Sequence, residues 1–158
     1  MKYKPKYFKA REFYDITKMS EMLLFILDIA RGAFGRKYPK VSFNINYSNN
    51  PKDKHVPNSK HYSNEAVDMY IKAYYDYNKE NPVPYKDIVI DLVQLFKITT
   101  IWDNIGIGIY PDWHRPGFHL DFSPHNHREW QAHYKKDKNG KIIKQIYTGV
   151  YWSSFKGV

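Results

Sequence analysis

Residues 59–68 read S-K-H-Y-S-N-E-A-V-D, and F-H-L-D-F follows at 118–122. His61, Asp68 and His119 together offer two imidazoles and one carboxylate, the borderline-soft donors that a divalent zinc ion takes. Three such ligands leave one tetrahedral position open for water, and the chemistry of that arrangement is hydrolysis. The chain has no cysteine, so disulfides and thiolate metal sites are both excluded and any zinc must be held by His with Asp or Glu. A His-x-Asp pair on a strand also arises by chance. The case therefore rests on the elements that carry the three residues.

Those elements sort by parity. In A-V-D-M-Y-I, Val67, Met69 and Ile71 take one face of a strand and Ala66, Asp68 and Tyr70 the other. In I-G-I-G-I-Y, Ile105, Ile107 and Ile109 oppose Gly106, Gly108 and Tyr110. In F-H-L-D-F, Phe118, Leu120 and Phe122 oppose His119 and Asp121. Each segment is oily on one face and carries chemistry or glycine on the other. Directly opposed residues of an antiparallel pair share a face, so 104–110 and 118–122 are expected to pair core to core and site to site. The register expected is Tyr110 opposite His119, Ile109 opposite Leu120 and Gly108 opposite Asp121, with the glycines leaving an open floor beside the metal.

A further strand is expected from the alternation of Val41, Phe43, Ile45 and Tyr47 with Ser42, Asn44 and Asn46. One helix is expected from about Thr17 to Ala33, ended by Gly32 and Gly35, and a second from Pro84 to Ile98 with Ile88, Leu92, Leu95 and Phe96 as its apolar stripe. The loop from Ser48 to Lys60 is the most irregular stretch and runs into the first metal candidate, where a functional loop on a rigid scaffold belongs. The segment W-Q-A-H-Y-K-K-D-K-N-G-K-I-I-K-Q-I-Y reads as an exposed hairpin turned at Asn139-Gly140, with His133 in it and a lysine-rich tip. His125 and His127, in S-P-H-N-H-R, read as a polar loop after the strand. The fold class expected is α+β: a single domain, 1–158, with a mainly antiparallel central sheet packed on helices and the metal on the open face of the sheet. Its core would span 7–122, with 123–158 as a C-terminal extension bearing the hairpin.

The 158 residues suit one domain with a core of its own. The formal charge of +9 implies attraction to polyanions, and aromatics at 18% suit either a packed core or a surface for sugars or bases. Met1–Ala10 has lysines but no apolar run, and Met22–Ala30 is interrupted by Asp28 and too short for a bilayer. Synthesis without a secretory signal, in the cytoplasm and without membrane insertion, is the expectation.

The pattern S-x-H-x-x-G-x-A-x-D followed by a strand with a late His resembles the zinc peptidases that cleave peptidoglycan stem peptides. These are the D-alanyl-D-alanine carboxypeptidases and the phage L-alanyl-D-glutamate endopeptidases, which share a fold with the hedgehog signalling domain. Ser59, His61, Ala66 and Asp68 match the pattern, and G-I-G-I-Y-P, G-F-H-L-D and the N-terminal Y-F-K-A-R-E-F resemble one branch of the family. The resemblance implies His61, Asp68 and His119 as ligands of Zn2+. Three positions depart from it. Asn64 stands for the family glycine, and Asn is the next most tolerant of a left-handed backbone. Pro116 stands where the family places a Glu or Asp base. I-N-Y-S-N-N replaces S-G-Y-R, whose arginine polarises the scissile carbonyl.

Asp121, Asp112 and His114 are the candidates for the catalytic base, Asp121 equally as a carboxylate that orients a ligand imidazole. Ser59 and Tyr110 are candidate substrate contacts, and Arg115, Lys52 or Lys54 the candidate replacements for the arginine. The function expected is an endolysin-like zinc peptidase acting on the stem peptide, possessed of a basic surface that meets anionic envelope polymers and released to the wall by a separate lesion, with bacteriophage origin in keeping. The alternative from a different class is an inactive basic protein of the same fold that binds cell wall or nucleic acid; nucleic acid is not the expected partner of the peptidase.

Overall fold

The computed structural model describes residues 3–37, 43–71 and 85–149. Six strands form one mixed sheet: β1 (Phe43–Tyr47), β2 (Ala66–Ile71), β3 (Ile105–Tyr110), β4 (Gly117–Phe122), β5 (Arg128–Lys136) and β6 (Ile142–Thr148). Their spatial order is β1-β2-β4-β3-β5-β6, antiparallel throughout except for the parallel pair β3–β5. Two α-helices among the described residues, α1 (Glu21–Lys37) and α2 (Tyr85–Lys97), complete an α+β single domain.

Alternation decides which sheet face meets the helices. Ile105, Ile107, Ile109, Phe118, Leu120, Val67 and Met69 join Leu23, Ile26, Leu27, Ile88, Leu92 and Phe96 in one apolar cluster. Ala66, Asp68, His119 and Asp121 fall on the other face and are also buried. The parity expectation holds, but its register is corrected by two residues: Gly108 stands opposite His119, Gly106 opposite Asp121, Ile109 opposite Phe118 and Tyr110 opposite Gly117. A slip of two preserves every face, so alternation alone cannot detect it.

The expected open floor is corrected as well. A Cβ on Gly106 would collide with the Asp121 carboxylate, and one on Gly108 with the Trp130 indole. The glycines admit side chains of this same chain, and β5 is the strand that brings Trp130 there. Within the described part of 123–158, β5 and β6 pair as the expected hairpin and extend the sheet, and the turn between them carries Gly140 at φ +79. His133 is half-buried and bonds Asp112.

Helix α1 starts later than Thr17 because Asp15 caps a separate 3-10 turn over Ile16–Lys18 and Met19 is extended; Ser20 then precedes Glu21 and caps the helix. It also runs through both glycines. Gly32 serves packing: a Cβ there would lie 2.6 Å from the Tyr7 ring. Buried Asp28, an interruption in the apolar run, accepts from Tyr3 Oη, Lys6 N and Tyr7 N and so straps the N-terminal segment to the helix. Glu12 and Arg31 add a salt bridge at 2.7 Å. Helix α2 follows the expected stripe, with Leu95 half-buried; Pro84 and Val41 lie outside the described residues. A bulge between Ile45 and Tyr47 brings Tyr47 opposite Asp68, out of step with Ile45 and Met69.

Tyr85 Oη donates to the Gly117 carbonyl at 2.6 Å and ties α2 to the start of β4. At Gly117 an added Cβ would run into the Met69 carbonyl, a backbone atom that cannot swing aside. Gly117→Ala is therefore expected to lower the unfolding free energy by about 1–3 kcal/mol in denaturant titration, while Gly35→Ala, with nothing near it, should not destabilise the protein.

Candidate metal centre

His61 sits in the turn that closes the Ser48–Lys60 loop. Its Nδ1 lies 3.0 Å from the Ser48 carbonyl, which can only accept, so Nδ1 carries a proton; Nε2 faces Asp68 Oδ1, 3.4 Å away. Tetrahedral bonds of zinc length put neighbouring donor atoms about 3.3 Å apart, so this pair already has the spacing an ion requires. Asn64, three residues on, has φ +61, the left-handed conformation expected of the position where the family carries glycine. It receives His61 O at its N–H and returns its own carbonyl to Ser20 N, which fixes the turn against the start of α1.

Asp68 is on β2 directly opposite His119 on β4. The His119 ring is held at both nitrogens, Nδ1 2.8 Å from Asp68 Oδ1 and Nε2 3.1 Å from Asp121 Oδ2. His61 and His119 thus both reach the Asp68 carboxylate, their ring centroids 5.0 Å apart. A third imidazole stood outside the sequence expectation. His55 stacks on His61 with centroids 4.0 Å apart and planes within 4°, and its backbone is clasped by the Tyr62 hydroxyl, which accepts from His55 N and donates to His55 O. His55, His61 and Asp68 offer ligand atoms all within 4.8 Å of one another and form a group that could hold a metal ion. The signal for His55 in the sequence is only its position six residues before His61 in an irregular loop.

Asp121 is 1% exposed and accepts from His119, from Ser123 Oγ at 2.5 Å and from Arg128 Nη2 at 3.0 Å on each oxygen. Burial would raise its pKa, but His119, Ser123 and Arg128 outweigh burial and bring it to about 2. A carboxylate so fully engaged orients His119 and is a poor proton acceptor. Burial likewise opposes ionisation of Asp68, and His119 and His61 overcome it, holding Asp68 well below the carboxylate range. His119 is pushed up to about 9: burial disfavours its charge, and Asp121 and Asp68 more than compensate. His55 is lowered, first by burial and then by facing His61.

These groups line a cleft of about 960 Å³, walled on one side by the 52–61 loop and on the other by Trp113, Arg128, Trp130, Gln145 and Tyr147. Ser59 and Tyr110 line it too; Ser59 Oγ accepts from His61 N, and Tyr110 Oη accepts from Trp130 Nε1 while its ring stacks on Trp113 at 4.2 Å. Burial and the neighbouring Asp68 push the Tyr110 phenol well above its usual range. Lys52 and Lys54 are on the cleft wall. The other candidates are elsewhere. Asp112 accepts from Tyr134 N and His133 Nδ1 and so pins the β3–β4 turn to β5; His114 is exposed; Arg115 lies 5.0 Å over the Tyr70 ring. None of the three lines the cleft. His127 bonds Ile105 O and Glu129 and packs on Trp102, in keeping with a structural polar loop.

No protein-family model matches the chain, and no curated protein is similar to it. Among the described residues no helix is long and apolar enough to cross a membrane.

Two predictions follow from this geometry. In metal titration His55→Ala and His61→Ala should abolish stoichiometric binding, whereas His119→Ala, which removes a partner of Asp68, should weaken it by roughly 10–100-fold; the reverse ranking of His55 and His119 would restore the ligand set implied by the sequence. Metal-free protein should also be most stable in a bounded pH window. The depressed Asp68 and Asp121 contribute fully above their unfolded value of 3.8 and lose that contribution as pH falls below it through their lowered folded values. The raised His119 contributes fully below 6.5 and loses its share as pH rises towards 9. Thermal midpoints of chelated protein across that range should peak between the two limits.

Proposed function

We propose that this chain is a zinc-dependent peptidase that cuts a peptide bond in the stem peptide of peptidoglycan, acting at the cell wall in the manner of an endolysin. The observation that carries the reading is the convergence of His61, Asp68 and a further imidazole on the floor of a large cleft, from the loop and strand where S-K-H-Y-S-N-E-A-V-D resembles the stem-peptide peptidases. A neutral-imidazole and carboxylate donor set suits zinc among the divalent ions. Zinc bound there would supply a Lewis acid for the scissile carbonyl and would acidify a bound water.

The chain's own groups do the rest. Ser48 fixes the His61 tautomer, and Tyr62 fixes the loop that carries His55. Asp121 holds the His119 ring at Nε2 and Asp68 holds it at Nδ1, so His119 positions the Asp68 carboxylate at the cleft floor. Tyr110 presents its hydroxyl to the same space. Burial of Asp68, Asp121 and His119 keeps bulk water from screening these charges.

Pro116, buried where the family keeps its acid, favours the second reading, a basic binding protein of the same fold. Mass analysis of purified muropeptides after incubation separates the two. The peptidase should release stem-peptide fragments that vanish with chelator, return with added zinc and are absent with His61→Ala. Intact muropeptides, together with metal-free protein that binds wall or DNA in a salt-sensitive way, would replace it with the second reading.

A further inference from the structure

The stretch that replaces S-G-Y-R has no arginine, and Arg115 is turned away to Tyr70. The cleft nevertheless contains a guanidinium. Arg128, the first residue of β5, lies opposite Gly106 in the parallel pairing with β3, and Gly106 is itself opposite Asp121. That register delivers the Arg128 side chain to the Asp121 carboxylate across the glycine. Nη2 makes all of its polar contacts, to Asp121 Oδ1, Asp121 Oδ2 and Ser123 Oγ, each at 3.0 Å. Nη1 and Nε make no hydrogen bond among the described residues, and the side chain is 43% exposed on the cleft wall. One end of the fork is anchored by a buried carboxylate and the other is open. An anchored guanidinium loses little further freedom when it binds, and its planar donors suit a carboxylate.

Charge balance gives the direction of preference. Asp68 and Asp121 are the buried acids at the cleft floor, and Arg128 together with a divalent ion would exceed them. Lys52 and Lys54 add positive charge at the rim, while Asp53 is the one further acid in the lining. The site as a whole favours an anionic ligand over its neutral isostere.

Resting on the peptidase reading, we propose that Arg128 is a substrate-binding residue that grips a carboxylate of the stem peptide beside the metal, so that the enzyme selects acidic over amidated peptides. The C-terminal hairpin then completes the site: without β5 the cleft has its metal group but lacks this specificity cation.

The test uses L-alanyl-D-glutamyl-L-lysine and the same tripeptide with its carboxyl groups amidated, on the zinc-loaded full chain. Wild type should prefer the acidic form by at least ten-fold in kcat/KM, mostly through KM, and the preference should shrink as salt is raised. Arg128→Gln should abolish the preference, and Arg128→Lys should retain part of it; a preference that survives Arg128→Gln, or none in wild type, overturns the assignment. Binding is read separately from the fluorescence of Trp130 and its neighbours on titration with each tripeptide. Discrimination in binding with no cleavage of either peptide would sink cleavage within the L-alanyl-D-glutamyl-L-lysyl part of the stem while leaving the carboxylate site standing. Equal binding of the two forms would sink the carboxylate site whatever the outcome for cleavage. Should Arg128→Gln fail to fold, Arg128→Lys and the wild-type salt dependence decide: an undiminished preference in both counts against it.

Discussion

A single buried carboxylate organises this molecule. Asp68 lies on β2, between β1 and β4, largely withdrawn from water at the cleft floor, and His119 and His61, reaching the same oxygen, outweigh its burial and hold its pKa down. Two of its neighbours come from different parts of the chain, one from the loop before β2 and the other from β4. The electrostatic requirement of one side chain therefore fastens a long irregular loop to a rigid sheet. Removing either partner would leave a buried charge poorly compensated, which is why such a cluster is costly to keep unless a cation or a second proton balances it. A metal ion held by His55, His61 and Asp68, a group that could take one, would resolve that cost.

The second constraint is the pair of glycines on β3. Gly106 and Gly108 have no side chains on the site face, and the space is taken by Asp121 and Trp130. Through Asp121 the gap feeds back on His119, and through Trp130 it admits β5 as a parallel neighbour. The site face is consequently a second, polar core. Asp68, His119 and Asp121 are buried there and hydrogen-bonded to one another, and side chains so tied have little freedom to leave that geometry.

Much of this was legible in residue order, and the boundary of what was legible has a physical form. Alternation along 66–71, 105–110 and 118–122 sorted core from site correctly because opposed residues share a face. It could not fix the register, since a hairpin with six loop residues, 111–116, keeps the same parity as one with eight. Helix α1 was misplaced by one turn because Asp15 and Ser20 are both good caps, and the extended Met19 between them is what chooses the second. His55 was hidden for a different reason. A loop without periodicity gives no face, and only the Tyr62 clasp and the stacking on His61 bring it in. Arg128 was read into the polar loop S-P-H-N-H-R and Trp130 into an exposed hairpin, because nothing in R-E-W-Q announces a parallel partner twenty-two residues upstream.

The same reasoning accounts for Pro116. It is buried at the foot of β4, next to Gly117, whose carbonyl receives Tyr85 Oη and whose Cα faces the Met69 carbonyl too closely for any side chain. This end of the strand is committed to packing α2 against the sheet. The turn that follows is committed too, with Asp112 spent on Tyr134 and His133. Polar function around the metal group is accordingly displaced to the two walls that can still reach it, the 52–61 loop through His55 and the first residues of β5 through Arg128. A chain without Arg128 would keep the three candidate ligands His55, His61 and Asp68 but lose the guanidinium on the wall beside them.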